Sequence, residues 1–292
     1  MKGFTAFPAA VRGAVWMVMG GVSLVLMAID IRYLAPKFNV LEMIFIRSVI
    51  SFCFMLPWAF KVGLAGLKTE RIGLHVFRNA IHYVGNLGWF LGVTLVTLAD
   101  LSALQFTIPL FTVVMAALIL HEKVGLHRWT ATVIGFIGAL IIIRPGYIPI
   151  EIGTIAVILS AFFYACSQIA TKKLSDTDNP NLVIFYMGSI FVLISFGPAM
   201  FVWVTPDWQD AVPFLILGAT GYFAHFCIIR AFAAADASYI TPFDFVRLPV
   251  SAFFGFMLFG EATEAWTWIG AGIIFCATYY ITWRETRGAP ES

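Results

Sequence analysis

Ten stretches of this chain are almost wholly apolar, at about 11–31, 40–60, 73–96, 99–120, 126–144, 151–171, 180–204, 211–233, 237–259 and 264–283. A helix needs roughly 20 residues to cross about 30 Å of hydrocarbon, so each stretch predicts a membrane-spanning helix. The links near Asp100 and Asp236 are only a few residues long, which makes antiparallel hairpins of spans three and four and of spans eight and nine. No loop is long enough to hold a soluble domain. The apolar run from Val11 to Ile29 is too long for a typical signal-peptide core and is read as the first span.

The pattern repeats. Gly13, Leu34, Asn39, Ile44, Phe45 and Ala59 recur 140 positions later as Gly153, Leu174, Asn179, Ile184, Phe185 and Ala199. Ala99-Asp100-Leu101-Ser102 meets Ala235-Asp236-Ala237-Ser238, Glu122 meets Glu261, and Trp129 meets Trp268. The predicted fold class is therefore all-α integral membrane, with ten transmembrane helices as two inverted five-helix repeats around a central cavity. The repeats are residues 1–145 and 150–292, joined by the turn-rich Pro145-Gly146-Tyr147-Ile148-Pro149. An odd number of spans per repeat reverses the second copy, the arrangement found in many secondary transporters.

Charge fixes the expected orientation. One set of loops and termini holds Lys2, Arg12, Lys61, Lys68, Arg71, Lys123, Arg128, Lys172, Lys173, Arg284 and Arg287, and the other holds Arg32, Lys37 and Arg144. The positive-inside rule then puts both termini in the cytoplasm. Composition agrees with lipid as the solvent: 61 % of residues are hydrophobic, 12 % are charged, and the mean hydropathy is +0.91. The net charge of +2 gives no reason to expect a nucleic-acid partner. Cys53, Cys166, Cys227 and Cys276 stand alone in apolar runs, without metal-ligand spacing.

Polar residues inside spans are costly and mark sites or structural pairs. Span nine carries Asp244 and Arg247, three apart on one face, between Pro242 and Pro249, which should kink or loosen the helix. A charged-substrate site and an internal ion pair explain them equally well. Tyr239 lies on the same span, and span four has Gln105, Thr107 and Pro109 at similar depth. Span three carries His75, Arg78, Asn79, His82 and Asn86. Arg78 lies only about 8 Å into its helix, where snorkelling to the interface is the plainer reading. Tyr164, Ser167 and Gln168 lie on span six, and Tyr222 and His225 on span eight. Glu42 and Arg47, near the outer part of span two, read as an outer structural pair with a neighbouring helix rather than as substrate contacts. Asp100 and Asp236 read as helix caps, and Glu122 and Glu261 as caps or loop anchors. Gly88 and Gly92 form a GxxxG that lets a neighbouring helix approach.

Ten helices in two repeats, hairpins opening on Ala-Asp-x-Ser, and a Glu after spans four and nine resemble the drug/metabolite transporter superfamily, EamA type. The likeness covers residues 11–284 and is greatest to the YddG-type amino-acid exporters. It implies an inner-membrane exporter with a central cavity between spans one, three, four, six, eight and nine. The expected function is secondary-active or facilitative export of small metabolites by alternating access, with amino acids, aromatic and apolar ones included, as cargo. Drugs, nucleosides or other metabolites are the alternative cargo. The candidate substrate-binding residues are Arg78, Asn79, His82, Gln105, Tyr164, Tyr239, Asp244 and Arg247. Asp30, His82 and Asp244 are available to carry a coupled proton. The expected partners are a small-molecule substrate and membrane lipid, and the pattern leaves the oligomeric state open. No nucleophile elbow, phosphate loop, metal cluster or cofactor motif is present in the sequence, so the chain reads as a carrier and not an enzyme.

Overall fold

The computed structural model describes residues 8–119, 125–147, 150–175, 177–234, 240 and 243–288. Glu122, Lys123, Pro149, Asp236, Ser238, Tyr239 and Pro242, each singled out from the sequence, lie outside the described residues, as do the side chains of Lys172, Arg284 and Arg287.

The described residues form α1 (Ala9–Leu34), α2 (Val40–Gly66), α3 (Ile72–Leu95), α4 (Leu98–Gln105), α5 (Ile108–Ile119), α6 (Leu126–Ile143), α7 (Ile152–Ser175), α8 (Pro180–Phe201), α9 (Ala211–Ala234), α10 (Arg247–Phe259) and α11 (Ala265–Gly288). The fold is all-helical. Seven segments are long and apolar enough to cross a membrane, with α4 and α5 counted together as Leu98–Ile119. Helix α3 carries the polar series from His75 to Asn86, while α10 and Ala265–Ile281 are shorter apolar helices.

Local chemistry explains the helix starts. Asn39 caps α2 by accepting from the Leu41 amide at 3.0 Å, and Asn179 caps α8 by accepting from the Asn181 amide at 2.9 Å. Those two asparagines are the 140-offset pair, so the repeat preserves a cap that satisfies an otherwise orphaned amide. At α4 the cap is Thr97, whose hydroxyl accepts from the Asp100 amide at 3.1 Å. Asp100 is thus not the cap expected of it. It stands in the first turn, accepting from the Thr97 hydroxyl at 2.8 Å and from Thr267 of α11 at 2.6 Å.

Span four was expected to be continuous and is broken at Phe106–Thr107. Pro109 has no amide hydrogen and its ring crowds the Gln105 carbonyl, so the α-helical ladder cannot run through. The Thr107 hydroxyl and amide both donate to the Leu104 carbonyl, at 2.6 and 3.1 Å, and close the first segment with a tight turn. The expected loosening of span nine is present: α10 starts after a turn at Phe245–Val246, just ahead of Pro249. The two breaks meet. Phe106 and Phe245, 139 positions apart, stack with ring centroids 3.8 Å apart and planes 14° from parallel.

The helix contacts obey the repeat. Helix α2 packs on its counterpart α8, α4 on α10, and α6 on α11, while α1 packs on α9 and α3 on α7. A two-fold relation between the halves demands this pattern, since it either places an element against its own copy or exchanges two partners. Glycines allow the closest approaches. A Cβ at Gly88 would stand 2.7 Å from the Ala156 carbonyl oxygen and one at Gly92 would stand 2.3 Å from Val157 Cγ2, so the GxxxG of α3 serves contact with α7. Between α6 and α11, Gly138 and Gly270 each abut the other's backbone carbonyl.

Ion pairs tie the two halves at the ends of the bundle. At one end Arg32 pairs with Glu261 and Arg144 with Glu264, while Lys37 meets Asp207 at 2.8 Å and Asp210 at 2.6 Å. Arg32 also donates to the Val93 and Val96 carbonyls that end α3, and Glu261 accepts from the Leu98 amide at 2.9 Å. The loop-anchor reading of Glu261 therefore holds. Lys37 donates to the exposed Asp207 and the half-buried Asp210, and its hydrogen bond holds the Asp210 carboxyl below its ordinary pKa.

At the opposite end Asp178 accepts from Thr69 at 2.7 Å and contacts His75 Nε2 at 2.6 Å. Partial burial pushes the Asp178 carboxyl up, but the hydrogen bonds from His75 and Thr69 outweigh it and leave the pKa below the ordinary value. A depressed carboxylate stabilises the fold above its unfolded pKa, and this contribution is lost as pH falls through the folded value. Asp178→Asn should therefore lower the melting temperature in detergent at pH 7, with the gap closing below about pH 4. A gap of unchanged size at pH 3 would contradict this account.

Candidate functional site

The polar residues of α3 turn inward. Arg78 is 8 % exposed and does not snorkel: its Nε donates to Thr171 Oγ1 of α7 at 3.0 Å, and its Nη1 to Asn79 Oδ1 at 2.7 Å. Asn79 is fully buried and donates to the Tyr186 carbonyl of α8 at 3.4 Å. One turn deeper, His82 Nδ1 shares a hydrogen bond with Ser167 Oγ at 3.1 Å. The His82 ring lies 4.8 Å from Tyr164, 5.6 Å from Phe191 and 6.1 Å from His225. Arg78, Asn79, His82 and Tyr164 thus converge as a group, where α3 meets α7, α8 and α9.

The cavity beside them is lined by Arg47, Ser51 and Phe52 of α2, Met187 and Phe191 of α8, and Tyr222 and His225 of α9, among others. Spans two and seven therefore form its walls, which the family resemblance did not imply. Nor does Arg47 join an outer structural pair with a neighbouring helix beside Glu42. Five residues along a helix is about 140° of rotation, so the two side chains face different ways. Glu42 accepts from the Val204 amide at 3.3 Å. Arg47, 4 % exposed, reaches into the bundle, 3.7 Å from Met27 Sδ and 5.6 Å from the Phe90 ring centroid. Arg47, Arg78 and His225 are all close enough to His82 to act on it electrostatically.

Gln105 and Arg247 lie apart from this group, around a second small cavity with Trp89, Ser102 and Ser251. Gln105 donates to the Val157 carbonyl at 3.3 Å and to Ser160 at 3.2 Å, bridging α4 to α7. Asp244 and Arg247 pair at 3.5 Å, as their spacing predicts. The Arg247 guanidinium also sits 4.5 Å above the Phe106 ring, so it fastens the stacked breaks of spans four and nine together. Ser102 and Ser251 share a hydrogen bond of 2.6 Å between the same two spans. Tyr239, the remaining candidate, lies outside the described residues.

A helical bundle in two copies, with Arg47 and His225 on the wall of an internal cavity, is the architecture of a membrane transporter. The chain belongs to the EamA-like transporter family, whose model matches it twice, over residues 11–144 and 151–283. It is similar to the riboflavin transporter of Rhizobium johnstonii, 32 % identical over 281 residues that cover 95 % of this chain and 93 % of that one. It is also similar to the S-adenosylmethionine uptake transporter of Rickettsia prowazekii, 29 % identical, with 94 % of each chain covered. The pseudopaline exporter of Pseudomonas aeruginosa is 24 % identical over 81 % of this chain and 84 % of its own. A crystal structure at 13 % identity shares the fold, with a TM-score of 0.65 over 96 % of this chain and 98 % of that one.

Proposed function

We propose that this transporter carries a small metabolite bearing a planar ring, of the kind its relatives' names describe, through the cavity between α2, α8 and α9. The observation behind this reading is the aromatic wall. Phe52, Phe191 and Tyr222 line the cavity, the His82 ring packs on Phe191 and, on its other side, on Tyr164, and Tyr222 stacks with Phe226 at 6.2 Å. Such faces take up a flat heterocycle, while Arg47 and His225 meet its polar substituents. Riboflavin and S-adenosylmethionine, the cargoes named for two relatives, both join a fused ring to a polar tail. Amino-acid export, with aromatic amino acids foremost, is the second reading. The same aromatic wall suits an indole or phenyl side chain, and the resemblance to YddG-type exporters favours it.

In this proposal ten crossings place the chain in the inner membrane with both termini in the cytoplasm. The halves 1–145 and 150–292 rock against each other about the Phe106–Phe245 contact, so that the cavity opens to each side in turn. Asp30 has a buried carboxylate oxygen without a hydrogen-bond partner, which makes it the first candidate for a coupled proton.

Counterflow in proteoliposomes tests the reading, with labelled riboflavin, S-adenosylmethionine, tryptophan and phenylalanine, each with and without an imposed pH gradient. Protein-dependent flux of at least one ring-bearing compound is the expected result. Tyr164→Leu should cut that flux by about fivefold, the scale of one lost ring contact. Absence of flux for the whole panel would sink the proposal.

A further inference from the structure

We infer that Arg47 seats a carboxylate on the transported metabolite and so sets the charge class this carrier accepts. The inference rests on the carrier reading above and deepens it.

Arg47 differs from Arg32, Arg78 and Arg247 in having no oxygen acceptor among the described residues. Arg32 pairs with Glu261, Arg247 with Asp244, and Arg78 donates to Thr171 and Asn79. Arg47 is just as buried, yet among the described residues it has no carboxylate and no oxygen acceptor. Its contacts are a thioether sulfur and a ring face, and its Nε has no hydrogen-bond partner. A guanidinium carries five donors in a fixed fork and cannot shed its charge inside a protein. Leaving one desolvated and unpaired is expensive, and a structural role would have been served by an apolar side chain of similar volume.

The surroundings keep this cation available to the cavity. The Arg47 side chain lines the cavity wall beside Ser51, Tyr222 and His225. Gly221 of α9 makes the room: a Cβ there would stand 3.3 Å from Arg47 Cδ and 3.2 Å from Met27 Sδ. The Tyr222 hydroxyl meets only Met55 Sδ, at 3.8 Å, and is free to turn towards an oxyanion. The hydroxyls of Ser48 and Ser51, in contrast, are spent on the carbonyls of Ile44 and Gly218.

The charge count selects a carboxylate. One guanidinium balances one negative charge, and the neighbouring fixed cation, Arg78, is already engaged with Thr171 and Asn79. A phosphate monoester, with close to two charges at neutral pH, would leave one uncompensated in a buried site.

The test is selectivity between compounds that differ only at the acid, measured by counterflow in proteoliposomes. The pairs are S-adenosylmethionine against its decarboxylated form, and tryptophan against tryptamine, with riboflavin against riboflavin 5′-phosphate as the phosphate arm. Wild type should favour the carboxylate member of at least one pair by about tenfold, the value of one charged hydrogen-bond pair. Arg47→Gln should erase that preference by slowing the acid while leaving the decarboxylated member within twofold. Arg47→Lys should restore part of it. A monodisperse size-exclusion profile checks that each variant folds, and wild-type selectivity decides the matter if Arg47→Gln does not. Equal transport of both members by wild type overturns the inference, as does equal loss of both in Arg47→Gln or a preference for the phosphate. Flux of riboflavin alone, unchanged in Arg47→Gln, overturns it while the carrier reading stands. Flux of nothing removes the carrier reading and this inference together.

Discussion

Gly270→Leu is expected to abolish the folded protein. The α6–α11 contact is the place where the fifth helix of one half meets the fifth helix of the other, and it is made backbone to backbone. A Cβ at Gly270 would lie 2.5 Å from the Gly138 carbonyl oxygen and 2.5 Å from Ile142 Cγ1, and one at Gly138 would lie 2.8 Å from the Gly270 carbonyl oxygen. Neither carbonyl can move without breaking its own helix, so the helices must separate. In lipid no hydrophobic force draws them back, because the acyl chains are as apolar as the interface. Overpacking by alanine alone costs about 1–3 kcal/mol, and leucine adds three more carbons to the same gap. Gly272, two residues on, has nothing within 4 Å of a built Cβ and serves as the matched control. Fluorescence-detected size exclusion should show no monodisperse peak for Gly270→Leu and a wild-type peak for Gly272→Leu. A wild-type melting curve for Gly270→Leu would refute the packing argument.

Opening the Arg32 end of the bundle should have the second largest effect. Arg32 and Glu261 have side chains only 11 % and 18 % exposed, and they tie together α1, the end of α3, the start of α4 and the turn before α11. Arg32→Ala leaves Glu261 facing only the Leu98 amide and leaves the α3 carbonyls uncapped. Breaking such a pair costs on the order of 3 kcal/mol, enough to shift the balance between a closed and an open end by about a hundredfold. Ser102, 6 % exposed beneath this end, is a suitable reporter. In a cysteine-depleted background, Ser102→Cys should react slowly with a membrane-impermeant maleimide applied, in proteoliposomes, to whichever side the Arg32 end faces. Arg32→Ala should raise that rate by at least tenfold. An unchanged rate would show that the pair does not hold the end shut.

How much of this was legible in the sequence depended on whether the determinant was local. Asn39 and Asn179 cap their helices through contacts two residues away, so the repeat that matched them also read them correctly. Gly88 and Gly92 lie on one face by periodicity alone, and Asp244 and Arg247 share a face by their spacing. The break at Phe106–Thr107 was hidden because a proline in an apolar run is compatible with either a kink or an interruption. The Thr107 hydroxyl and the partner ring of Phe245 make it an interruption. Arg78 was readable as snorkelling because nothing near it in sequence reveals Thr171, 93 positions away. Arg47 was readable as an outer structural residue because nothing near it in sequence reveals the cavity that α8 and α9 close around it, more than 130 positions away. The ion pairs between the halves join residues more than 100 positions apart, and only the assembled bundle brings them together.

The stacked rings of Phe106 and Phe245 also impose an order on biosynthesis. One ring emerges from the ribosome with the first half and the other 139 residues later, so the centre of the protein stays unfinished until the second half has entered the bilayer. During that interval Arg47 and Arg78 lie in a five-helix fragment without α7, α8 and α9, the helices that enclose them in the finished protein. The first copy is thus a poor membrane protein by itself, and the second copy completes its folding as well as providing the other half of the carrier.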